Sequence, residues 1–221
     1  MGYIKWLGHA AFEAEVDGKI VYFDPWITNP LSPIKLDDIV RADVILVSHG
    51  HFDHTGESIE ISKKTGAPII AVYEIAEELG RKGAKTIGMN IGGTVEIKGL
   101  QIVMVQAFHS SLWGAPAGFV VIGKETSIYH AGDTGVFYDM KLIGELYSPK
   151  IALLPIGSHF TMGPYEAAKA IELLQPEVVI PMHYGTFDVI KRDVKELIEE
   201  VKRRKLKVNV VALKPGEKYV F

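Results

Sequence analysis

The sequence contains no cysteine among its 221 residues. Disulfide bonds, thiolate metal ligands and cysteine nucleophiles are therefore all excluded. The absence of cysteine also fits a protein of a reducing compartment, where disulfides rarely persist. Any metal that the chain binds must be held by imidazole and carboxylate groups, so its eight histidines and its acidic residues become the side chains of interest.

The chain also lacks an excess of positive charge and a long apolar run. The formal net charge is −3, so there is no basic footprint for nucleic acid and no stable nucleic-acid partner is expected. No apolar segment reaches the ~20 residues of a membrane span. The first residues lack the charged and then apolar layout of a signal peptide. We therefore expect a cytoplasmic protein that acts on a small molecule and has no membrane partner.

Hydrophobic residues make up 48% of the chain, which is enough for a sizeable core. Their pattern predicts many short, mainly antiparallel strands, with helices inserted in both halves. The length suits one domain over residues 1–221, or two similar halves that share a core. Residues 21–24 and 128–133 each place an aspartate just after a strand, which favours two similar halves. Two sheets packed face to face with helices outside would bury these strands, so the fold class is α/β (α+β).

The densest group of polar side chains follows a strand predicted at residues 43–47. Residues 48–55 read Ser-His-Gly-His-Phe-Asp-His-Thr, which places three imidazoles and one carboxylate within six residues. A single histidine would indicate only a satisfied polar residue, whereas four potential ligands this close predict a metal site. Because the segment begins where a strand ends, a rigid element positions the loop.

Three more potential ligands follow three other predicted strands. One loop cannot surround an ion, but several strand ends that converge on one sheet edge can. The five histidines and two aspartates divide into a first site of three histidines, a second site of one aspartate and two histidines, and a bridging aspartate. In that order they are His49, His51 and His109; Asp53, His54 and His183; and Asp133.

The predicted ligands define the chemistry of the centre. Imidazole and carboxylate groups without thiolates suit Zn²⁺ best, with Mn²⁺, Fe and Ni²⁺ as alternatives. Three protein ligands per metal leave a coordination position open, which is typical of a catalytic site and not of a structural one. The sequence thus predicts two divalent metal ions per chain.

The motif His49-x-His51-x-Asp53-His54, with the three downstream ligands, resembles the metallo-beta-lactamase superfamily. The resemblance runs from residues 6–10 to residues 181–185 and is greatest to uncharacterised metal-dependent hydrolases. These are relatives of ascorbate-6-phosphate lactonase and N-acyl-phosphatidylethanolamine phospholipase D. The resemblance implies a four-layer αβ/βα sandwich with helices on both outer faces and a dinuclear site at one edge. All seven ligand positions of the superfamily are filled.

Four other polar residues have predicted roles. We call residues 48–55 the metal loop. Asp24 ends a strand, and we expect it to hydrogen-bond the metal loop and not to bind a metal. His130 is expected to be a core or supporting residue, while His9 either lines the site or has a structural role. His159 takes the place of a histidine that helps to protonate the leaving group in the related tRNA 3′-end-processing endonucleases. The residues around His159 depart from that motif, so a structural role stays open.

The expected reaction is hydrolysis of an ester-type bond by a metal-bound hydroxide, and the resemblance favours a phosphodiester or a lactone. Asp53 would bind metal and orient the nucleophile, and His159 or His9 would donate a proton to the leaving group. Two alternatives are a di-iron oxidoreductase, whose relatives carry a carboxylate in place of His51, and a non-catalytic metal-binding protein. Because related proteins often form oligomers, a homo-oligomer is also expected.

Overall fold

The computed structural model describes residues 2–221, which form two seven-stranded sheets. In spatial order, the first sheet consists of β14 (Lys218–Val220), β1 (Tyr3–Trp6), β2 (Phe12–Val16), β3 (Lys19–Phe23), β4 (Val44–Leu46), β5 (Ile69–Val72) and β6 (Thr86–Met89). The second sheet consists of β13 (Asn209–Val210), β12 (Val178–Met182), β11 (Ile151–Pro155), β10 (Ser127–His130), β9 (Ala117–Ile122), β8 (Leu100–Gln106) and β7 (Thr94–Ile97).

Each sheet is antiparallel at one end and parallel at the other. In the first sheet, neighbours from β14 to β3 are antiparallel and neighbours from β3 to β6 are parallel. In the second sheet, neighbours from β7 to β10 are antiparallel and neighbours from β10 to β13 are parallel. The predicted two-sheet sandwich is confirmed, but the sheets are mixed and not mainly antiparallel. Parallel pairs arise because crossover connections join consecutive strands. The repeated pattern agrees with two similar halves, which stay a prediction.

Within the described residues, six α-helices accompany the sheets: α1 (Phe52–Thr55), α2 (Ser58–Thr65), α3 (Tyr73–Arg81), α4 (Met140–Tyr147), α5 (Pro164–Leu174) and α6 (Val194–Arg203). Every residue of β5, β11 and β12 is buried, as expected for strands that lie between a second sheet and a layer of helices. None of the helices within residues 2–221 has the length and apolar character needed to cross a membrane.

The last long helix begins later than its hydrophobic pattern predicts. The apolar spacing of residues 189–205 indicates one continuous helix, yet Asp188–Ile190 forms a separate 3₁₀ turn and α6 starts at Val194. The side chain of Asp193 accepts a hydrogen bond from the backbone N–H of Lys195 at 2.9 Å and caps the helix. The capping side chain fixes the start of the helix, which apolar periodicity alone does not show.

The core is one cluster of buried apolar side chains from both sheets and from helices α2 to α6. Its largest fully buried side chains include Phe12, Phe23, Phe119 and Tyr129. The ring of Phe23 stacks on His130 with 5.1 Å between centroids, and His130 is 1% exposed. His130 is therefore a core residue, as the sequence predicts.

Candidate metal centre

Four strands, taken from both sheets, position the predicted ligands. In the first sheet β4 ends at Leu46, just before the loop that starts with His49. In the second sheet β8, β10 and β12 end shortly before His109, Asp133 and His183. The predicted convergence of strand ends is thus present, and the cluster joins the two sheets along one edge.

Three histidines form the first group. His49 Nε2 lies 2.9 Å from His51 Nδ1, and the rings of His49 and His109 meet edge-on with 5.1 Å between centroids. One ring nitrogen from each of the three lies within 4.8 Å of the other two. His49 is buried, while His51 and His109 are partly exposed. The structure therefore brings together the three histidines of the predicted first site.

The second group contains Asp53, His54 and His183, as the sequence predicts, and it also includes His9. One ligand atom of each of the four lies within 4.8 Å of the others. His9 Nε2 approaches Asp53 Oδ2 at 3.1 Å, and the rings of His9 and His183 are 4.0 Å apart. Of the two roles that the sequence left open for His9, the structure favours lining the site.

The carboxylate of Asp133 lies between the two groups. Its Oδ1 is 3.3 Å from His54 Nε2, and its Oδ2 is 3.0 Å from His183 Nε2 and 3.4 Å from His109 Nε2. The carboxylate thus contacts one histidine of the first group and two of the second. This placement is the one that a bridging ligand requires.

The buried atoms of the centre fit a metal. Within residues 2–221, His54 Nε2, Asp133 Oδ1 and His183 Nε2 are buried, and the close contacts among these side chains do not have the geometry of a hydrogen bond. A buried polar atom without a partner costs about 1–3 kcal/mol, so such groups normally have one. Imidazole nitrogens and carboxylate oxygens are ordinary ligands of Zn²⁺ and similar ions. Divalent cations would satisfy all three atoms at once.

The histidines of the centre differ in their charge. Burial lowers the pKa of His49 well below its usual value, and His54 adds to this effect. Burial also disfavours the charged form of His54, but the carboxylates of Asp133 and Asp24 outweigh it and raise the pKa of His54 well above its usual value. In the metal-free protein near neutral pH, the His54 ring therefore carries protons on both nitrogens and is positively charged. A metal must displace one of these protons.

The carboxylates of the centre are ionised. Burial alone would raise the pKa of Asp133, but His183 and His54 lower it well below its usual value. For Asp53 burial also raises the pKa, and the hydrogen bond from His9 together with His54 lowers it further than burial raises it. Both side chains are therefore negative at neutral pH, as metal ligands must be.

Asp24 holds the metal loop through three hydrogen bonds. Its Oδ1 accepts a hydrogen bond from the backbone N–H of Ser48 at 2.7 Å. Its Oδ2 accepts from the Ser48 hydroxyl at 2.6 Å and from His54 Nδ1 at 2.7 Å. These contacts turn Nε2 of His54 toward the centre, since one ring nitrogen is already bound. The predicted hydrogen bond between Asp24 and the metal loop is confirmed.

His9 is held from its other side by Thr186, with 2.9 Å between His9 Nδ1 and Thr186 Oγ1. Burial lowers the pKa of His9 to about 4, and the hydrogen bond with Asp53 only partly opposes this. His9 is therefore neutral at pH 7. The carboxylate of Asp53 can only accept, so the ring proton lies on Nε2 and Nδ1 accepts from the Thr186 hydroxyl.

His159 is not brought into the cluster. It lies on the exposed loop after β11, and its ring meets Phe160 edge-on with 4.6 Å between centroids. The loop is joined to the centre through the backbone, because the N–H of Met162 donates to the carbonyl of Thr134, next to Asp133. Because His159 lies outside the cluster, its role as a proton donor stays a prediction.

Three supporting residues were not found from the sequence. Ser48 lies beside the motif, so its position could have suggested a role. Thr186 is separated from His9 by 177 positions and carries no recognisable motif. The carboxylate of Glu57 accepts hydrogen bonds from the backbone N–H groups of residues 27 and 28, which belong to a distant loop. Such contacts depend on tertiary packing and leave no local pattern.

Comparisons with known proteins agree with this geometry. A family model described as a beta-lactamase superfamily domain matches residues 19–184. A UPF0173 metal-dependent hydrolase from Hyperthermus butylicus is 56% identical over 100% of both chains, and one from Methanopyrus kandleri is 54% identical over 98% of both. The solved structure of Igni18, a metallo hydrolase from Ignicoccus hospitalis, has a TM-score of 0.94 and 43% identity, covering 100% of this chain and 99% of that one. The chain therefore belongs to the metallo-beta-lactamase superfamily, within its family of UPF0173 metal-dependent hydrolases.

Proposed function

We propose that the protein is a dinuclear metallohydrolase that cleaves an ester-type bond, with a phosphodiester or a lactone as the favoured substrate. The observation that carries this proposal is the position of Asp133, whose two carboxylate oxygens contact histidines of both ligand groups. A single metal would need only one of these groups. Two divalent ions, with Zn²⁺ favoured, would use all seven predicted ligands.

The chain's own residues prepare the centre for hydrolysis. His49, His51 and His109 would hold one ion, Asp53, His54 and His183 the other, and Asp133 both. When bound, two divalent ions lower the pKa of a shared water toward ~7 and stabilise negative charge on the attacked oxygen. The carboxylate of Asp53, fixed by the hydrogen bond from His9, would orient the attacking water. Partial exposure of His51 and His109 leaves the first group accessible to a substrate.

His9 and His159 have different proposed roles. Because Nε2 of His9 donates to Asp53 and Nδ1 is occupied by Thr186, His9 has no free nitrogen for a substrate and acts as a positioning residue. His159 is exposed on the loop after β11, and we propose that it protonates the leaving group. Substitution of His159 by alanine should slow turnover of a substrate with a poor leaving group and spare one with a good leaving group. Equal effects on both substrates would contradict the role.

Metal analysis and a substrate screen test the proposal. We expect close to two metal ions in each purified chain and metal-dependent hydrolysis of bis-p-nitrophenyl phosphate or of a lactone. The His49→Ala variant should lose metal and activity together. One metal per chain, or a His49→Ala variant as active as the wild type, would contradict a dinuclear hydrolase. Bound iron with oxygen consumption and no hydrolysis would instead favour the oxidoreductase alternative.

A further inference from the structure

Three aromatic side chains adjoin the ligand cluster beside His9, and we call Trp26, Phe52 and Phe187 the aromatic wall. Trp26 meets His9 edge-on with 5.3 Å between ring centroids and meets Phe52 edge-on at 5.4 Å. Trp26 also stacks with Phe187 at 5.9 Å, and Phe187 lies 5.7 Å from the His9 ring. The wall is thus continuous from the candidate metal centre to the surface, where Phe52 is 67% exposed.

The loop that carries Trp26 is fixed. The carboxylate of Glu57 accepts hydrogen bonds from the backbone N–H groups of Ile27 and Thr28 at 2.5 and 3.2 Å, and from the Thr28 hydroxyl at 2.7 Å. Gly56 packs so closely against the Trp26 backbone that a Cβ atom there would overlap it. A positive φ of 39° at Gly56 also favours glycine. The indole is therefore held in place before any ligand arrives, which lowers the entropic cost of binding.

More apolar side chains occur on the loop that carries His109. Phe108 is 61% exposed and Leu112 is 66% exposed. Trp113 packs over Gly50, where a Cβ atom would meet the indole at 3.0 Å. Exposed apolar side chains that gather at one place commonly mark a binding site. Here they flank candidate metal ligands on two separate loops.

The charge of the same loops points to the kind of ligand. Residues 47–57, 107–116, 131–139 and 156–163, which lie on four of the loops next to the centre, contain no lysine or arginine. The loops that carry Trp26 and Phe187 contain Lys35, Lys191 and Arg192, and Lys82 Nζ lies 4.9 Å from the ring centroid of Trp113. Phosphate and carboxylate groups of substrates are commonly held by arginine and lysine. The four loops without lysine or arginine instead offer aromatic and aliphatic surface beside the proposed hydrolytic centre. The complementarity is with an uncharged, apolar group.

We propose that the aromatic wall binds an alkyl or aryl group of the substrate, which narrows the proposed ester-type substrates to carboxylic esters and lactones with an apolar chain. This inference rests on the proposed hydrolase function. The oxygen of water would form a bond to the carbonyl carbon while the bond from that carbon to the ester oxygen breaks. The water protons end on the two products, an acid with an apolar chain and an alcohol, which are one molecule when the substrate is a lactone.

Calorimetric binding of the product acids tests the wall without relying on turnover. Acetate, butyrate, hexanoate and octanoate are titrated into the metal-loaded protein at fixed salt. The carboxylate can bind at the metals in every case, so a change of Kd along the series reports burial of the chain. Burial of one methylene contributes about 0.8 kcal/mol, so we expect the Kd to fall about threefold to fourfold per added methylene. An unchanged Kd along the series would overturn the proposal.

Matched variants locate the effect. Phe52→Ala and Phe187→Ala should each reduce the dependence on chain length to less than about twofold per methylene, while the Kd of acetate changes little. Leu146→Ala is the control, because Leu146 lies on α4, away from the ligand loops, and is 68% exposed, close to the exposure of Phe52. The same slope in the wild type and in both aromatic variants would overturn the proposal.

Two further measurements separate the wall from the hydrolase function and from self-association. Metal-dependent hydrolysis of p-nitrophenyl acetate with a flat Kd series would overturn the wall and leave the hydrolase standing. A steep Kd series in a protein that hydrolyses neither esters nor phosphodiesters would support the wall and contradict the hydrolase. Sedimentation velocity tests a second copy of the chain as the occupant. A dimer that Phe52→Ala dissociates, without a change in the Kd series, would overturn the proposal.

Discussion

The two ligand groups of the candidate centre are supported to different degrees. We call His49, His51 and His109 the open group, and His51 and His109 are indeed partly exposed. We call Asp53, His54, His183 and His9 the supported group, in which the three histidines are almost completely buried. A second layer of hydrogen bonds holds the supported group. Asp24 binds His54, Thr186 binds His9, and His9 in turn binds Asp53.

The difference indicates that the two groups have different roles. Outer hydrogen bonds fix the orientation of metal ligands, so the supported group is arranged before a metal binds. The open group has fewer such contacts and more exposure, which suits the side that a substrate approaches. Substitutions in the supported group should therefore reduce both stability and metal affinity. Substitutions of His51 and His109, the partly exposed members of the open group, should reduce metal affinity alone. His49 is buried and its Nδ1 lies 3.0 Å from Ser48 Oγ, so its substitution should also reduce stability.

The largest effect is expected at Asp24. Its replacement by alanine removes two hydrogen bonds to Ser48 and leaves the charged ring of His54 buried with one carboxylate fewer. Removal of one partner from a buried ion pair costs about 3–5 kcal/mol. We expect urea denaturation of the metal-free Asp24→Ala protein at pH 7 to show a loss of this size. A loss below about 1 kcal/mol would mean that the supported group is not held by Asp24.

The next comparison is between His54→Ala and His51→Ala. Each variant removes a proposed metal ligand, so each should lose one metal per chain. Activity should fall by more than about 100-fold, which is the largest loss typical of residues that only contact a ligand. In the metal-free state, His54→Ala should lower the free energy of unfolding by about 2–3 kcal/mol, because Asp24 and Asp133 lose a buried partner. His51→Ala should change it by less than about 0.5 kcal/mol, since His51 is partly exposed. Equal losses in the two proteins would remove the distinction between the groups.

The sequence reveals the ligands better than it reveals their support. Four ligands stand within six residues and the others follow strand ends, so both residue type and local position mark them. The pairing direction of the strands was predicted less well, because it depends on how the crossover helices pack. Thr186 and Glu57 act on residues far away in the chain, at backbone or side-chain atoms that no local pattern singles out. The two-sheet sandwich could thus be predicted, but not the hydrogen bonds that order its site.

Thr186 provides a milder test of the supported group. Thr186→Val keeps the shape of the side chain but cannot donate to His9 Nδ1. We expect metal affinity to fall about 10-fold, at the lower end for an outer contact, with the loss confined to one of the two ions. Titration with a competing chelator measures both affinities. A uniform loss at both ions would contradict a role for Thr186 through His9 and Asp53.

The smallest effect is expected at a carboxylate at the other end of β4, Asp43, which serves as the reference for Asp24. Asp43 accepts hydrogen bonds from the backbone N–H of Ile20 at 2.9 Å and from Lys98 at 2.8 Å, and it pairs with Arg41 at 2.7 Å. Burial alone would raise the pKa of Asp43, but these partners lower it below its usual value. Because both cationic partners are largely exposed, we expect Asp43→Asn to lower the free energy of unfolding by only about 1 kcal/mol at pH 7. The number of bound metal ions should not change.

The pH dependence of this cost follows from the lowered pKa. The folded protein binds the Asp43 proton less readily than the unfolded chain, whose pKa is about 3.9. The stabilisation is therefore complete above that value and is lost as the pH falls through the lower folded pKa. Urea denaturation of metal-free wild-type and Asp43→Asn proteins should give curves that differ at pH 7 and converge in acid. A difference that persists unchanged in acid would show that the cost does not come from the charge of Asp43. A difference at pH 7 as large as that of Asp24→Ala would show that any buried carboxylate acts as Asp24 does.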